Sequence, residues 1–567
     1  MTTESKQPSQ TPTVVTKKTS KNVEYTLYSD NTATITKYTG SDTDLTLVST
    51  ITHNNGNYSV TKIADGVFSG KTSLRSVALP RKLDKIGKSA FKGDKNLIAV
   101  LNGDTVTEIG DEAFSGCTSL TNNPYLYNVV KIGDRAFYNC SSLLSMYFGY
   151  NSGDGSPNII GTEAFAGCTR LQNITFSGKY TIGKSAFKNC NMLSTVLMFY
   201  PVTCTSGDKP FQHSGKVHTN IYTADQSTYD YWAKRTGTSA SCFLQRWFRF
   251  SGKDRYTTAS SFIGACSYPS ESDNIIVASG ANFPDALTAS SLAGVKNGYV
   301  LLTDPNSLSD LTAKQIQRLS SGKATVYIIG GEGAVSKNVE TQISKLWGVS
   351  TVKRISGTDR VDTSMKIYEN GKGSWGNTCF VATADNFADS LSISPCAYAN
   401  KYPIFAAHNG NLTSEQLDVI KSSGIKKVVV IGGKASVSDS TYGELQNIFG
   451  ESNTMRLSGA NRYDTSGAIF EWETGGNSEA SFQPGKYLYK SNMIVATGKN
   501  FPDSLAAGSV CGAARSPLLI VDGSKSTQTN IDTLIKNSST KPDTGCIVGG
   551  TKAVPKSLED KLNEADP

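Results

Sequence analysis

The residues best suited to chemistry in this 567-residue chain are three arginines that occur in one repeated motif. The motif reads Ser-Gly-x-Asp/Asn-Arg, and its arginines are Arg255, Arg360 and Arg462. A planar guanidinium presents paired N–H donors, so it suits two-point contact with a phosphate or carboxylate group. The alternative is structural, with each arginine held against Asp285, Asp389 or Asp503 of its own copy to fix a turn. Both interpretations stay open on the sequence.

Each arginine is followed by an Asn-Phe-x-Asp turn that supplies further polar candidates. These candidates are Asn282, Asn386, Asn500, Asp285, Asp389 and Asp503. Each aspartate follows the turn and opens a predicted helix, where a carboxylate caps free N–H groups and complements the helix dipole. No second acid is fixed beside it, so acid–base catalysis is not indicated. With the arginines, these residues form the candidate polymer-binding set.

A double glycine closes a β-branched run in every copy, at Gly330-Gly331, Gly432-Gly433 and Gly549-Gly550. These glycines lack the Gly-Lys-Ser/Thr sequence that grips a nucleotide. A tight strand-to-helix turn is the simplest interpretation. Backbone N–H groups presented to an anion are the alternative.

The sequence predicts no catalytic centre, metal site or cofactor. The four histidines are not at metal-ligand spacing, and no nucleophile–histidine pair can be assembled. Eleven cysteines are an odd number without a Cys-x-x-Cys pair. Four of them, Cys117, Cys140, Cys168 and Cys190, occupy one position of a short repeat, so we expect them to be unpaired and interior.

Bulk composition is that of a globular protein, with 38% hydrophobic and 18% charged residues and a net charge of +8. No dense basic stripe indicates nucleic-acid binding, although an anionic polymer is compatible with this charge. No apolar run is long enough for a membrane span, and no signal peptide is visible. Residues 1–22 are polar and lysine-rich, and we predict a disordered leader or linker there.

The arginine motif, the Asn-Phe-x-Asp turn and the double glycine recur in the same order three times, which predicts three domains at 246–353, 354–455 and 456–567. Continuous β-branched runs alternate with amphipathic segments in each copy. This β-α-β-α-β-α order predicts a parallel sheet covered on both faces. The third copy carries an insertion near 482–489.

A shorter repeat fills residues 23–243 and reads Ile-Gly-x-x-Ala-Phe-x-x-Cys-x-x-Leu. Its six phenylalanines are Phe68, Phe91, Phe114, Phe137, Phe165 and Phe187. One strand in each unit of about 20–29 residues is typical of a leucine-rich solenoid, in which each unit buries its core by stacking on its neighbours. Residues 220–232 are expected to form a strand-and-helix cap.

The short repeat, for example Ile109 to Leu120, resembles the BspA-like leucine-rich repeats of bacterial surface proteins over about residues 23–240. The long repeats resemble the cell-wall-binding repeat type 2 family of clostridial surface proteins over about residues 246–567. That resemblance implies three α/β copies around a pseudo-threefold axis, anchored non-covalently to an anionic wall polysaccharide. It also implies export, with the signal peptide removed. Val361 and Ala388 depart from the tyrosine and proline of the other copies, so copy two is expected to bind differently.

We therefore expect a mixed fold, with a solenoid followed by three α/β domains, in a secreted, non-enzymatic protein of the cell wall. The solenoid would meet a host or S-layer protein. An S-layer-like lattice component is the alternative, and a wall hydrolase is a further one because wall enzymes carry the same anchor family.

Overall fold

In a computed structural model of the chain, residues 11–564 are described apart from the following segments: 122–127, 150–155, 206–209, 212–218, 224–225, 236–239, 245–246, 267–271, 282–287, 387, 477–481, 490–491, 500–501 and 523–543. The chain divides into two compact units, Met1–Leu244 and Gln245–Pro567.

The first unit is a solenoid of short strands with one helix near its end. Its elements are β1 (Val14–Ser20), β2 (Val23–Tyr28), β3 (Thr32–Tyr38), β4 (Asp44–Thr46), β5 (Thr50–His53), β6 (Gly56–Ile63), β7 (Ser76–Ala78), β8 (Lys85–Ile86), β9 (Ala99–Leu101), a 3-10 turn (Gly103–Thr105), β10 (Glu108–Ile109), β11 (Lys131–Ile132), β12 (Ser145–Phe148), β13 (Asn158–Ile160), β14 (Asn173–Phe176), β15 (Tyr180–Ile182), β16 (Thr195–Met198), β17 (Val202–Cys204), β18 (Thr219–Thr223), α1 (Gln226–Ala233) and β19 (Ala240–Leu244).

The prediction of a disordered leader over 1–22 is wrong for residues 14–20, which form strand β1 antiparallel to β2. The turn between these strands is Lys21-Asn22, and both residues have positive φ, 46° and 64°. Two such residues make the type I′ turn whose twist matches a β-hairpin. The segment was predicted to be disordered because its residues are polar, and the turn at Lys21-Asn22 was not recognised.

Parallel ladders run along the solenoid. One follows β6, β8, β10, β11, β13, β15 and β17, and another follows β12, β14, β16, β18 and β19. The repeat phenylalanines stack face to face inside, from Phe68 on Phe91 at 4.9 Å between ring centroids to Phe165 on Phe187 at 5.2 Å. The stacked rings make one continuous core, as the repeat predicted.

The four cysteines of the repeat are buried and unpaired, as predicted. Each Sγ donates to the backbone carbonyl of the phenylalanine one coil before, for example Cys117 to Phe91 at 3.1 Å and Cys140 to Phe114 at 3.1 Å. At the far end, helix α1 places Trp232 in the core, where its Nε1 donates to the carbonyl of Val202 at 2.8 Å. Strand β19 then extends the sheet one strand beyond this cap.

The second unit contains three parallel four-stranded sheets with flanking helices. Its elements are β20 (Trp247–Phe250), α2 (Arg255–Cys266), β21 (Ser272–Ser279), α3 (Ala289–Lys296), β22 (Tyr299–Thr303), α4 (Asp310–Leu319), β23 (Ser320–Ile329), α5 (Lys337–Ser344), β24 (Val349–Ile355), α6 (Arg360–Gly371), β25 (Thr378–Thr383), α7 (Ala388–Asn400), β26 (Ile404–Ala407), α8 (Ser414–Ser422), β27 (Lys427–Ile431), α9 (Asp439–Phe449), a 3-10 turn (Glu451–Asn453), β28 (Thr454–Leu457), α10 (Arg462–Glu473), β29 (Asn492–Thr497), α11 (Pro502–Ala513), β30 (Leu518–Val521), β31 (Thr544–Val548) and α12 (Lys556–Glu564).

The sheets do not respect the copy boundaries predicted from the sequence. Their strand orders are β22-β21-β23-β24, β26-β25-β27-β28 and β20-β31-β29-β30. Strand β24, which spans the predicted start of copy two, therefore completes the sheet of copy one, and β28, which spans the predicted start of copy three, completes that of copy two. Strand β20, which begins copy one, pairs with β31 of copy three. The predicted boundaries at 354 and 456 thus fall inside strands β24 and β28.

Helices α3, α7 and α11 pack against one another at the centre of the unit. Equivalent positions of the three copies meet there, because a Cβ on Gly508 would overlap Oγ of Ser394 and would lie 3.0 Å from Oγ of Ser290. Close approach of the three helices thus requires small residues. This packing provides the pseudo-threefold arrangement that the resemblance implied.

Candidate functional site

The three candidate arginines occupy the same place in each copy, as the first residue of helices α2, α6 and α10. Each Nη1 donates to the backbone carbonyl just beyond the first central strand of that copy. The acceptors are Gly280 at 2.5 Å, Ala384 at 2.9 Å and Gly498 at 3.1 Å. The side chains are therefore fixed at the carboxyl edge of each sheet, where parallel α/β folds bind their ligands.

The residue before each arginine fixes the start of its helix. Asp359 accepts from the N–H groups of Val361 and Asp362 at 2.8 and 2.9 Å, which is N-cap geometry. Asn461 caps α10 in the same way. This Asp/Asn position belongs to the repeated motif, but no role was predicted for it, although an Asx residue directly before a helix is a recognisable cap signal.

Asp389, which was considered as the structural partner of Arg360, has a serine partner from its own copy. It lies buried in the first turn of α7, and its Oδ2 accepts from Ser436 Oγ at 3.2 Å. The carboxylate also lies against the glycine turn, because a Cβ on Gly432 would be 2.5 Å from Oδ2. Burial raises the pKa of Asp389, and the hydroxyl of Ser436 and the charge of Arg462 in the next copy oppose that rise.

Copy two has an additional charged cluster beside its arginine. Asp385 Oδ1 lies 2.6 Å from Nδ1 of His408 and 3.8 Å from Nη1 of Arg360, and its Oδ2 accepts from the N–H of Asn409 at 2.7 Å. Partial burial acts to raise the pKa of Asp385, but the Asn409 N–H, His408 and Arg360 together lower it. Asp385 thus remains an anion next to the candidate arginine.

Copies one and three are built differently at this edge. The positions equivalent to Asp385 are Ala281 and Lys499, and those equivalent to His408 are Asp304 and Asp522, as the paired strand ends show. Their tyrosines at the Val361 position, Tyr256 and Tyr463, have pKa values raised by burial and by the neighbouring Asp304 and Asp522. Copy two therefore differs from the other copies at three neighbouring positions, Val361, Asp385 and His408.

Some candidates lie outside the described residues: Asn282, Asp285 and Asn500. Asp503 lies in the first turn of α11, but its side chain is outside the described part as well. Asn386 precedes α7, and its Oδ1 accepts from the N–H of Ala388 at 3.3 Å.

A second set of arginines joins neighbouring strands at the double-glycine turns. No role was predicted for these three residues from the sequence. Nη1 of Arg249, Arg354 and Arg456 donates to the first glycine carbonyl of each double-glycine turn, at Gly549, Gly330 and Gly432 (2.8, 2.8 and 2.9 Å). Those glycines have φ of 119°, 100° and 97°, which favours glycine. This geometry supports a tight strand-to-helix turn at the double glycines, rather than a phosphate loop.

Within the described residues, no three His, Cys, Asp or Glu side chains are grouped so that they would hold a metal ion. No described helix combines the length and the apolar character needed to cross a bilayer.

The family model for cell wall binding domain 2 matches residues 249–340, 354–442 and 456–559, which together make up half of the chain. The chain belongs to the cell wall binding domain 2 family. A model of the BspA type leucine rich repeat region, in six copies, matches residues 47–154 and 99–216 in the first unit. The cell wall binding domain 2 repeats associate the protein with the cell wall, and the two matches together describe a surface protein with a leucine-rich repeat unit.

Two curated relatives match about half of this chain. N-acetylmuramoyl-L-alanine amidase LytC of Bacillus subtilis is 30% identical over 316 residues, which cover 55% of this chain and 57% of the relative. The Amidase enhancer of the same organism is 31% identical over 274 residues, which cover 48% of this chain and 34% of the relative. The matches thus span about half or less of these relatives, and the amidase match lies in the wall-binding region.

Solved structures to which this chain is similar include Cwp8 from Clostridium difficile, with 27% identity, a TM-score of 0.48, and coverage of 57% of this chain and 52% of that one. A leucine rich repeat protein of T. pallidum has 23% identity and a TM-score of 0.23, and covers 31% of this chain and 91% of that one.

Proposed function

We propose that the three wall-binding repeats hold the protein on an anionic cell-wall polysaccharide and leave the leucine-rich repeats to bind a protein partner. The observation that carries this proposal is the equivalence of Arg255, Arg360 and Arg462. Each is anchored through one nitrogen to a strand-end carbonyl and lies half-buried at the carboxyl edge of its sheet.

Anchoring through Nη1 gives each guanidinium a fixed direction before any ligand arrives. Pre-organisation of this kind lowers the entropy lost on binding. A phosphate or carboxylate group of a polymer is the ligand that suits a guanidinium held in this way. The side chain of Arg360 is 38% exposed, so an external polymer can reach it.

Three copies in one compact unit make the binding multivalent. A single weak contact is converted into strong retention when the second and third contacts become intramolecular, by about 10² or more. Contacts between exposed charges weaken with added salt because the Debye length falls to about 3 Å at 1 M. Retention should therefore be tight and salt-sensitive.

We infer a non-enzymatic role for the chain, secreted to the cell wall. The family matches account for wall binding and for a repeat unit, and the amidase named among the relatives shares only the wall-binding region. An assay of peptidoglycan hydrolysis tests this inference: no solubilised wall fragments are expected above the buffer control, and steady release would support the hydrolase alternative.

The experiment that tests the anchor is sedimentation of the full chain with Gram-positive walls, before and after acid removal of their anionic polymer. Retention on intact walls and loss on stripped walls are expected. Equal retention of the protein on intact and stripped walls would show that it binds a wall component other than the anionic polymer. Ordered arrays of the purified protein without walls would favour the S-layer-like alternative.

A further inference from the structure

Copy three differs from the other copies by an inserted segment between α10 and β29, of which residues 482–489 are described. Its apolar side chains are anchored in the protein interior. Phe482 accepts through its carbonyl from Trp472 Nε1 at 2.9 Å, and Phe482 and Leu488 are buried in the core shared with copy two.

The backbone of the segment is also fixed directly after Tyr487. The Leu488 N–H donates to the carbonyl of Glu473 at 2.9 Å. The Tyr489 N–H likewise donates to the carbonyl of Arg515 at 2.6 Å. Two successive residues are therefore tied to the body of copy three.

Copy two holds the other end of the segment. Asn400 brackets Lys486, accepting from its N–H at 2.6 Å and donating to its carbonyl at 3.1 Å. Tyr402 accepts through its hydroxyl from the Gly485 N–H at 3.0 Å. The segment is thus hydrogen-bonded to both copy two and copy three, so it needs little ordering to bind a ligand.

The outward face of the segment is aromatic. Tyr487 and Tyr489 flank the buried Leu488 and are 42% and 51% exposed. Within the described residues of the second unit, they are the large hydrophobic side chains that lie open to solvent. Single exposed aromatics are ordinary, but two neighbouring ones on a fixed segment form a surface.

Arg515 joins the two tyrosines into that surface. Its guanidinium lies 4.6 Å from the ring centroid of Tyr489, Nη1 donates to the Tyr489 hydroxyl at 2.9 Å, and Nη2 donates to the Tyr487 carbonyl. A further basic group lies beside it, because Lys486, the residue before Tyr487, is exposed. The surface therefore combines aromatic faces with positive charge.

We propose that Tyr487, Tyr489 and Arg515 form a carbohydrate-binding surface specific to copy three. The tyrosine rings pack against the C–H face of a sugar ring, and the surrounding cations attract an acidic group of the same chain. This surface is separate from the edge arginines, and its assignment to a polysaccharide rests on the proposed function. Its occupant is the anionic wall polysaccharide itself.

The test compares the full chain with the double variant Tyr487→Ser/Tyr489→Ser, using anionic polysaccharide released from Gram-positive walls as the probe. Tyr200→Ser is the matched control, because Tyr200 is also 42% exposed but lies in the solenoid. We expect the double variant to bind about tenfold more weakly, as two aromatic contacts would give, and the control to bind as the native chain does. Thermal unfolding should be the same for all three proteins.

Equal affinity of the native chain and the double variant would reject the proposed tyrosine surface. It would not affect the proposal that the edge arginines bind the polysaccharide. A native chain that does not bind the polysaccharide at all would overturn both the surface and the proposed function. If the double variant unfolds at a lower temperature, protection of Tyr487 and Tyr489 from nitration in the native chain decides the matter: protection by the polysaccharide supports the surface, and unchanged nitration rejects it.

Discussion

Arg249 and Glu559 lie 310 residues apart in the sequence and form a buried ion pair, with Nε 2.8 Å and Nη2 2.7 Å from the same Oε2. Their side chains are 8% and 5% exposed. Arg249 is on β20, the strand that begins copy one, and Glu559 is on α12 at the end of copy three. The pair therefore closes the three copies into a ring.

Breaking this closure should destabilise the second unit strongly. We expect Glu559→Gln to cost about 3–5 kcal/mol, because it leaves the buried charge of Arg249 without its partner. Arg249→Gln should cost nearly as much, because Glu559 then keeps the exposed Lys556 in place of a buried partner. Calorimetric unfolding of the full chain measures the effect. Lys556→Gln is the control, since Lys556 contacts the same carboxylate at 3.2 Å from an exposed position and should contribute about 1 kcal/mol or less. Equal effects of the three changes would show that the ring closure contributes no special stability.

Asp385 should weaken binding of the anionic polymer to copy two, because it places a negative charge beside Arg360. Asp385→Ala, which introduces the residue that copy one has as Ala281, should raise affinity for the anionic polysaccharide several-fold at low salt. The gain should disappear at high salt, because screening removes the repulsion. Weaker binding of this variant in a titration with the purified polymer would instead make Asp385 a ligand contact.

The solenoid should lose stability as pH rises through neutrality. Asp94 takes the position that cysteines hold in later coils, and it is fully buried with its Oδ1 accepting from the Lys71 N–H at 2.7 Å. Burial raises the pKa of Asp94 from 3.8 to about 7. Because the folded state holds the proton more tightly, this stabilisation is complete below about pH 4 and is lost as pH rises through about 7.

The loss amounts to at most about 4 kcal/mol, from the shift in pKa. Thermal unfolding between pH 4 and pH 8.5 measures it, with Asp94→Cys as the control variant that copies the later coils. The native chain should melt at lower temperature at the higher pH, and the variant should show a flatter profile. Parallel profiles of the two proteins would rule out Asp94 as the source.

The parts of the fold that the sequence predicted are those encoded locally. The spacing of Phe91 and Phe114 specified a stacked coil, and the cysteine register specified an interior position, since each coil repeats the same contacts. The hairpin turn at Lys21-Asn22 was missed because its polar residues resemble a linker. The pairing of β20 with β31 was missed because a strand has the same residue pattern whichever neighbour it joins.

The candidate site was predicted in part. The motif located Arg255, Arg360 and Arg462, but it did not reveal that each is fixed by a strand-end carbonyl, since a backbone acceptor leaves no trace in residue identity. The cluster of Asp385 and His408 was missed for a related reason. The two residues are 23 positions apart and meet only because neighbouring parallel strands end at the same edge of the sheet.

The central claim is that the three edge arginines act together on an anionic wall polymer. The most direct test is sedimentation with intact walls, comparing the native full chain with the triple variant Arg255→Gln/Arg360→Gln/Arg462→Gln. The thermal unfolding temperature of both proteins is measured alongside. We expect the triple variant to lose at least about 10² in apparent affinity while unfolding at nearly the native temperature. Undiminished retention of a folded triple variant would contradict the claim.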